Sequence, residues 1–112
     1  MHPLWKVEFS QKASSDFDDI ILHTAENFGQ HQAERYSRLI ANCIKELSEY
    51  GPLHPLARNR PELIACAQSM RIQRQGQRAK HIVFFTAVTA PTTQKILILR
   101  LLHESMDFGE HL

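Results

Sequence analysis

The sequence predicts an α+β fold in the order strand, helix, helix, strand, strand, strand, and two periodicities carry that prediction. Apolar residues recur at every second position near the start of the chain and in three runs of its second half. Between these they recur at three- and four-residue spacing in two consecutive stretches. With 112 residues, 43% of them hydrophobic, there is material for one core and not for two, so residues 1–112 are expected to form a single domain.

The first strand is expected at 4–9, where Trp5, Val7 and Phe9 alternate with Lys6, Glu8 and Ser10. Ser10 stands where an N-cap belongs, and Ala13, Phe17, Ile20, Ile21, Ala25 and Phe28 follow on one helical face until Gly29. A second helix starts almost at once, with Ala33, Tyr36, Ile40, Cys43, Ile44 and Leu47 in phase until Gly51-Pro52. So short a link makes the pair an antiparallel αα-hairpin.

Pro52, Pro55, Asn59 and Pro61 interrupt any period over 52–61, which predicts a surface connection, and 62–68 reads as no more than a short helical turn. Three strands follow at 69–74, 80–87 and 95–103, separated by Gln75-Gly76-Gln77 and by Ala90-Pro91-Thr92-Thr93. Links of this length imply an antiparallel meander. The expected architecture is therefore a largely antiparallel four-stranded sheet with the helix pair packed on one face.

Strict alternation in the last strand puts Ile96, Ile98 and Leu102 on one face and Leu97, Leu99 and Leu101 on the other, so both faces are apolar. Two helices cover only one of them. Either the 52–68 connection covers the other, or it stays open until a partner does.

The formal net charge of +1 conceals an asymmetry, with five basic and eight acidic side chains in residues 1–50 against eight basic and four acidic in 51–112. Arg58, Arg60, Arg71, Arg74, Arg78 and Lys80 have only Glu62 among them as an opposing charge. Such a cluster is either a solvated face or a surface for phosphates or an acidic protein segment. Cys43 and Cys66 lack metal-ligand spacing and read as two small buried hydrophobes in preference to a disulfide, and the scattered histidines predict no metal site; no organic cofactor is expected either. The sequence offers neither a long apolar span nor a signal peptide, which predicts a cytoplasmic protein.

The stretch Ile98-Leu-Arg-Leu-Leu-His-Glu-Ser-Met-Asp107 resembles the C-terminal signature of ParE-type toxins in the RelE/ParE superfamily. Ala13, Asp16, Phe17 and Ile20, then Phe28-Gly29 with Gln32, Ala33 and Tyr36, then Arg60-Pro61-Glu62-Leu63, Met70-Arg71 and His81–Phe85 extend the likeness over nearly the whole chain. The family has Tyr more often where Phe85 stands. The resemblance implies the toxin of a type II toxin–antitoxin pair, bound by a cognate antitoxin and inhibiting DNA gyrase by contact, with a toxin dimer or a toxin–antitoxin hetero-oligomer as its assemblies.

The alternative within the superfamily is a RelE-like, ribosome-dependent mRNA endonuclease, which needs cations for the phosphorane charge and an acid/base pair. Arg71, His81, Arg100 and His103 are the candidates, yet Arg100 and His103 sit three apart on a strand and face opposite ways unless a bulge intervenes. Both tyrosines, Tyr36 and Tyr50, belong to the second helix. The expectation is that no residue is catalytic, that Arg100, His103, Met106 and Asp107 form a structural C-terminal motif, and that Arg58, Arg60, Arg71, Arg74, Arg78 and Lys80 bind the target or the antitoxin.

Overall fold

In the computed structural model, residues 4–64, 66–74, 77–90 and 93–112 are described, together with all their side chains except those of 74, 77–79 and 90. Strand β1 (Lys6–Phe9) leads into helices α1 (Gln11–Phe28) and α2 (Gln30–Tyr50). After a 3₁₀ turn at Gly51–Leu53 come β2 (Arg58–Asn59), β3 (Ala67–Arg74), β4 (Gln77–Ala90), β5 (Thr93–His103) and a final turn of helix, α3 (Phe108–His111).

The helices begin and end where local chemistry requires. Ser10 caps α1 by accepting the Ala13 amide at 3.0 Å, satisfying one of the donors a helix start leaves unpaired. Gly29, at φ +91°, is the single residue between α1 and α2, a conformation an L side chain rarely adopts. Gly51 (φ +58°) ends α2, and a Cβ there would overlap the indole of Trp5.

The sheet has five strands in the order β1-β5-β4-β3-β2, one more than the periodicity predicts. The addition is β2, two residues long and paired through Arg58↔Ser69 and Asn59↔Gln68 inside the proline-rich connection. β1 runs parallel to β5, and every other pair is antiparallel. The two central hairpin strands, at 77–90 and 93–103, exceed their predicted lengths.

The face toward the helices carries the main core, in which Met70, Ile72, Val83, Phe85, Ile96, Ile98 and Leu101 meet Ala13, Ile20, Ile40, Cys43 and Leu47. Leu101 belongs to this side because the β4–β5 register slips by one residue, from Phe85↔Ile98 to Phe84↔Arg100. A β-bulge at Leu99 inverts the alternation beyond it. The expected assignment of Leu101 and Leu102 is thus reversed, with Leu102 on the far face beside Ile82 and Phe84.

That far face is not left open around these residues. Phe108 and Leu112 of the C-terminal segment and Leu63 pack on Ile82, Phe84 and Leu102. The Arg60 guanidinium lies 5.9 Å from the Phe84 ring centre and 5.6 Å from that of Phe108. Phe84 is fully buried, so removing this cover would expose a large apolar side chain, a loss of about 2–3 kcal/mol.

Candidate functional site

Three members of the basic cluster come together on the far face, beside the short β2. Arg58 stands opposite Ser69, Arg71 is two residues further along the same face of β3, and Arg60 donates to the Ser69 hydroxyl at 3.3 Å. With Gln73 and Ile82 they line a groove of about 380 Å³. Lys80 is exposed on β4, and the side chains of Arg74 and Arg78 lie outside the described residues.

The cluster is less unopposed than its sequence suggests. Arg60 is paired with Glu62 (2.5 Å) and Arg71 with Glu104 (2.6 Å), a residue distant in sequence. Each guanidinium holds its carboxyl below the usual Glu range, chiefly by hydrogen bonding. Both carboxylates are well exposed, so these pairs add little stability and are open to exchange.

Arg100 has a different environment. Where β1 ends at Phe9, the edge of β5 is met by the start of α1: Ser10 donates its amide to the Ile98 carbonyl (2.9 Å) and its hydroxyl to that of Leu99 (2.8 Å). Asp16, one turn on, accepts from Arg100 Nε and Nη2 at 2.7 and 2.8 Å and from the Leu101 amide at 3.0 Å. Arg100 Nη1 also reaches the His111 carbonyl at 3.0 Å. The hydrogen bonds to Asp16 raise the Arg100 pKa further, so this cation is permanently engaged in joining α1, β5 and the C-terminus.

His81 and His103 are brought together on the helix-facing side, ring centres 5.3 Å apart and edge to face. The Tyr36 hydroxyl lies 2.5 Å from His81 Nδ1. Burial, followed by the fields of His103 and His23, depresses the His81 pKa to about 4, against weaker opposing effects of Asp16 and Glu104. Burial likewise pushes Tyr36 up to about 12, so a neutral phenol meets a neutral imidazole. His103 Nδ1 accepts from the Ser105 amide (3.1 Å) and contacts its hydroxyl (2.7 Å), tying the turn after β5. Met106 is exposed, and Asp107 caps α3 through the Gly109 amide (3.1 Å).

The four nuclease candidates therefore do not form one site. Arg71 projects from the face away from the helices, opposite Ile82, whereas His81 and His103 lie on the helix-facing side and Arg100 is held by Asp16. Among the described residues, no group of three His, Cys, Asp or Glu is placed to hold a metal ion. No helix there is long and apolar enough to cross a membrane.

Two features escaped the sequence reading. In the sequence Asp16 stands with Asp18 and Asp19 between the apolar positions of α1, and only its place in the family-like Ala13…Asp16-Phe17 pattern sets it apart. The other is a mostly apolar groove of about 410 Å³ lined by Phe9 of β1, Phe17 and Asp18 of α1, and Ile40, Ala41 and Ile44 of α2. Ile44 and Phe17 carry the helical period, but the period does not say which residues the sheet leaves uncovered.

Two helices on one face of a mostly antiparallel sheet are the α+β arrangement that the resemblance implied. The family described as ParE toxin of type II toxin–antitoxin system, parDE, matches residues 7–108, and the chain belongs to that family. Toxin ParE1 of Caulobacter vibrioides is 28% identical over 104 residues, 92% of this chain and 93% of its own length. The fold is similar to the chromosomal ParDE system of P. aeruginosa, with a TM-score of 0.70 at 20% identity over 91% of this chain and 98% of that one. It is also similar to a YoeB/ParE toxin from Agrobacterium tumefaciens, with a TM-score of 0.60 at 14% identity over 88% and 96% of the two chains.

Proposed function

We propose that this toxin acts in the cytoplasm by binding DNA gyrase, without a catalytic group of its own, and that a cognate antitoxin holds it inactive. The observation that carries the non-catalytic reading is the dispersal of Arg71, His81, Arg100 and His103 over two faces and a locked ion pair. The endonuclease alternative needs an acid/base pair and a cation converging within hydrogen-bond reach of one phosphate.

On this reading the antitoxin has two kinds of surface to use. An apolar segment fits the groove between Phe9, Phe17, Ile40 and Ile44 on the hairpin, in place of the sheet face that the C-terminal residues already cover. The arginines 58, 60 and 71, with Lys80, contribute charge attraction to the antitoxin or the target.

The test is a pair of assays on the purified toxin. Gyrase with supercoiled DNA is expected to accumulate trapped, protein-linked DNA breaks, whereas mRNA on translating ribosomes stays intact. Codon-positioned mRNA cleavage with no effect on gyrase would overturn the proposal and favour the endonuclease.

A further inference from the structure

We propose that the groove beside β2 recognises an extended peptide strand bearing carboxylates on alternate residues, a deepening of the reading that this cluster serves a protein partner. The geometry comes from the register. Arg58 and Arg71 flank Ser69 on one face, Arg58 from the neighbouring strand and Arg71 two residues along β3. Alternate residues of a strand are about 6.5–7 Å apart on one face. Arg58 and Arg71 are diagonal neighbours across the β2–β3 pair, about 7–8 Å apart, close enough to that spacing for acidic side chains at positions i and i+2 of an extended segment to meet both.

The groove already displays the chemistry on a small scale. Arg60 and Arg71 are occupied by the exposed carboxylates of Glu62 and Glu104, and Arg58 has no carboxylate partner among the described residues. An incoming acidic strand exchanges like for like, displacing Glu62 and Glu104 into solvent without stranding a buried charge. The Gln73 amide provides a neutral donor beyond Arg71 and Ile82 an apolar floor, while the buried Ser69 hydroxyl accepts from Arg60.

A nucleic-acid strand is a poorer match. Single strands are held by aromatic platforms as well as by cations, and among the described residues the groove is lined by no aromatic ring; the chain's net charge is only +1. The partner is therefore identified by its carboxylates.

The test uses the intact toxin and three probes: a ten-residue peptide alternating Glu and Thr, the same peptide with Gln for Glu, and a twelve-nucleotide oligothymidylate. Arginine side-chain N–H resonances are followed by NMR during titration, which detects binding even at millimolar strength. The Glu peptide should shift Arg58, Arg60 and Arg71 saturably, bind about tenfold or more tightly than the Gln peptide, and weaken with added salt. Glu104→Gln should tighten the Glu peptide, and Arg58→Ala, at an exposed position, should weaken it with an unchanged melting curve. Equal binding of the Glu and Gln peptides, no shifts up to several millimolar, or tighter binding of the oligonucleotide at the same arginines would overturn the inference. None of those results bears on gyrase trapping, so the proposed function stands or falls separately.

Discussion

Asp16 binds the Arg100 guanidinium through both carboxylate oxygens and takes the Leu101 amide with the oxygen that meets Nε. One side chain from α1 thus satisfies both the cation and a backbone donor beside the β5 bulge. With side-chain exposures of 14% for Asp16 and 18% for Arg100, the pair is largely desolvated. Asp16→Ala should cost about 2–4 kcal/mol, because it leaves the cation and the amide without their partner. Asp16→Asn, which keeps an acceptor oxygen, should cost less. Urea denaturation of the two variants and of Arg100→Ala checks this, and additive losses in the double variant would show that the pair is not coupled.

Gly51 gives a second, backbone-based expectation. Its φ of +58° disfavours any side chain, and the space a Cβ would enter is filled by the rigid Trp5 ring. Trp5 is in turn held by Ser48, whose carbonyl accepts the Trp5 amide and whose hydroxyl donates to the Trp5 carbonyl, each at 2.8 Å. Gly51→Ala should therefore lower stability by about 2 kcal/mol or more. Adding Trp5→Leu should restore part of the loss if overlap with the ring contributes to it, and thermal melts of the three variants decide.

The periodic elements were legible because period 2 and period 3.6 report which side of a long element faces a core. Ser10 and Gly29 were legible as caps because their chemistry is local. What failed to show has no period or no local signature. β2 has two residues, too few for a pattern to recur. The bulge at Leu99 lies in a run where 96–99 and 101–102 are all Leu or Ile, so inverting the faces leaves the pattern unchanged. The pairs Asp16–Arg100 and Arg71–Glu104 span 84 and 33 residues, and only the tertiary fold joins them.

The cover on the far face has an outcome measurable without any partner. Since Phe108 and Leu112 pack on Ile82, Phe84 and Leu102, the amides of β5 should be protected from hydrogen exchange in the isolated toxin. Phe108→Ala should cost about 2–3 kcal/mol and increase binding of a hydrophobic dye. Rapid exchange throughout β5 in the free protein would show that this face awaits another chain.

The hairpin groove makes a prediction about the antitoxin. Ala41 lines that groove and is exposed, so Ala41→Glu places a charge there without entering the core. The variant should fold with a melting temperature near that of the parent and lose the antitoxin in co-purification, by about tenfold or more in affinity. Retained binding would exclude the groove as the antitoxin's apolar seat.

His81 makes stability depend on pH in a window of its own. Its pKa is about 4 in the fold and near 6.5 when unfolded, so between these values the unfolded chain binds the additional proton. Stability is then fully present above about pH 6.5 and is lost as the pH falls through 4. The two values bound the effect at about 3 kcal/mol, and because the imidazole is only partly buried about 1–2 kcal/mol is expected. Glu62 and Glu104, whose pKa values lie below the ordinary 4.5, also destabilise in acid, but they begin to do so only near that pH. From pH 6.5 to 5 the histidine therefore acts before those carboxylates do, and comparison with a non-titrating variant separates it from the other histidines. His81→Asn, which offers an oxygen to the Tyr36 hydroxyl but does not titrate, should be less stable at pH 7.5 and should show a flatter decline across that interval. Urea midpoints at half-unit steps of pH provide the measurement, and equal slopes for the parent and the variant would mean that His81 does not remain neutral in the fold.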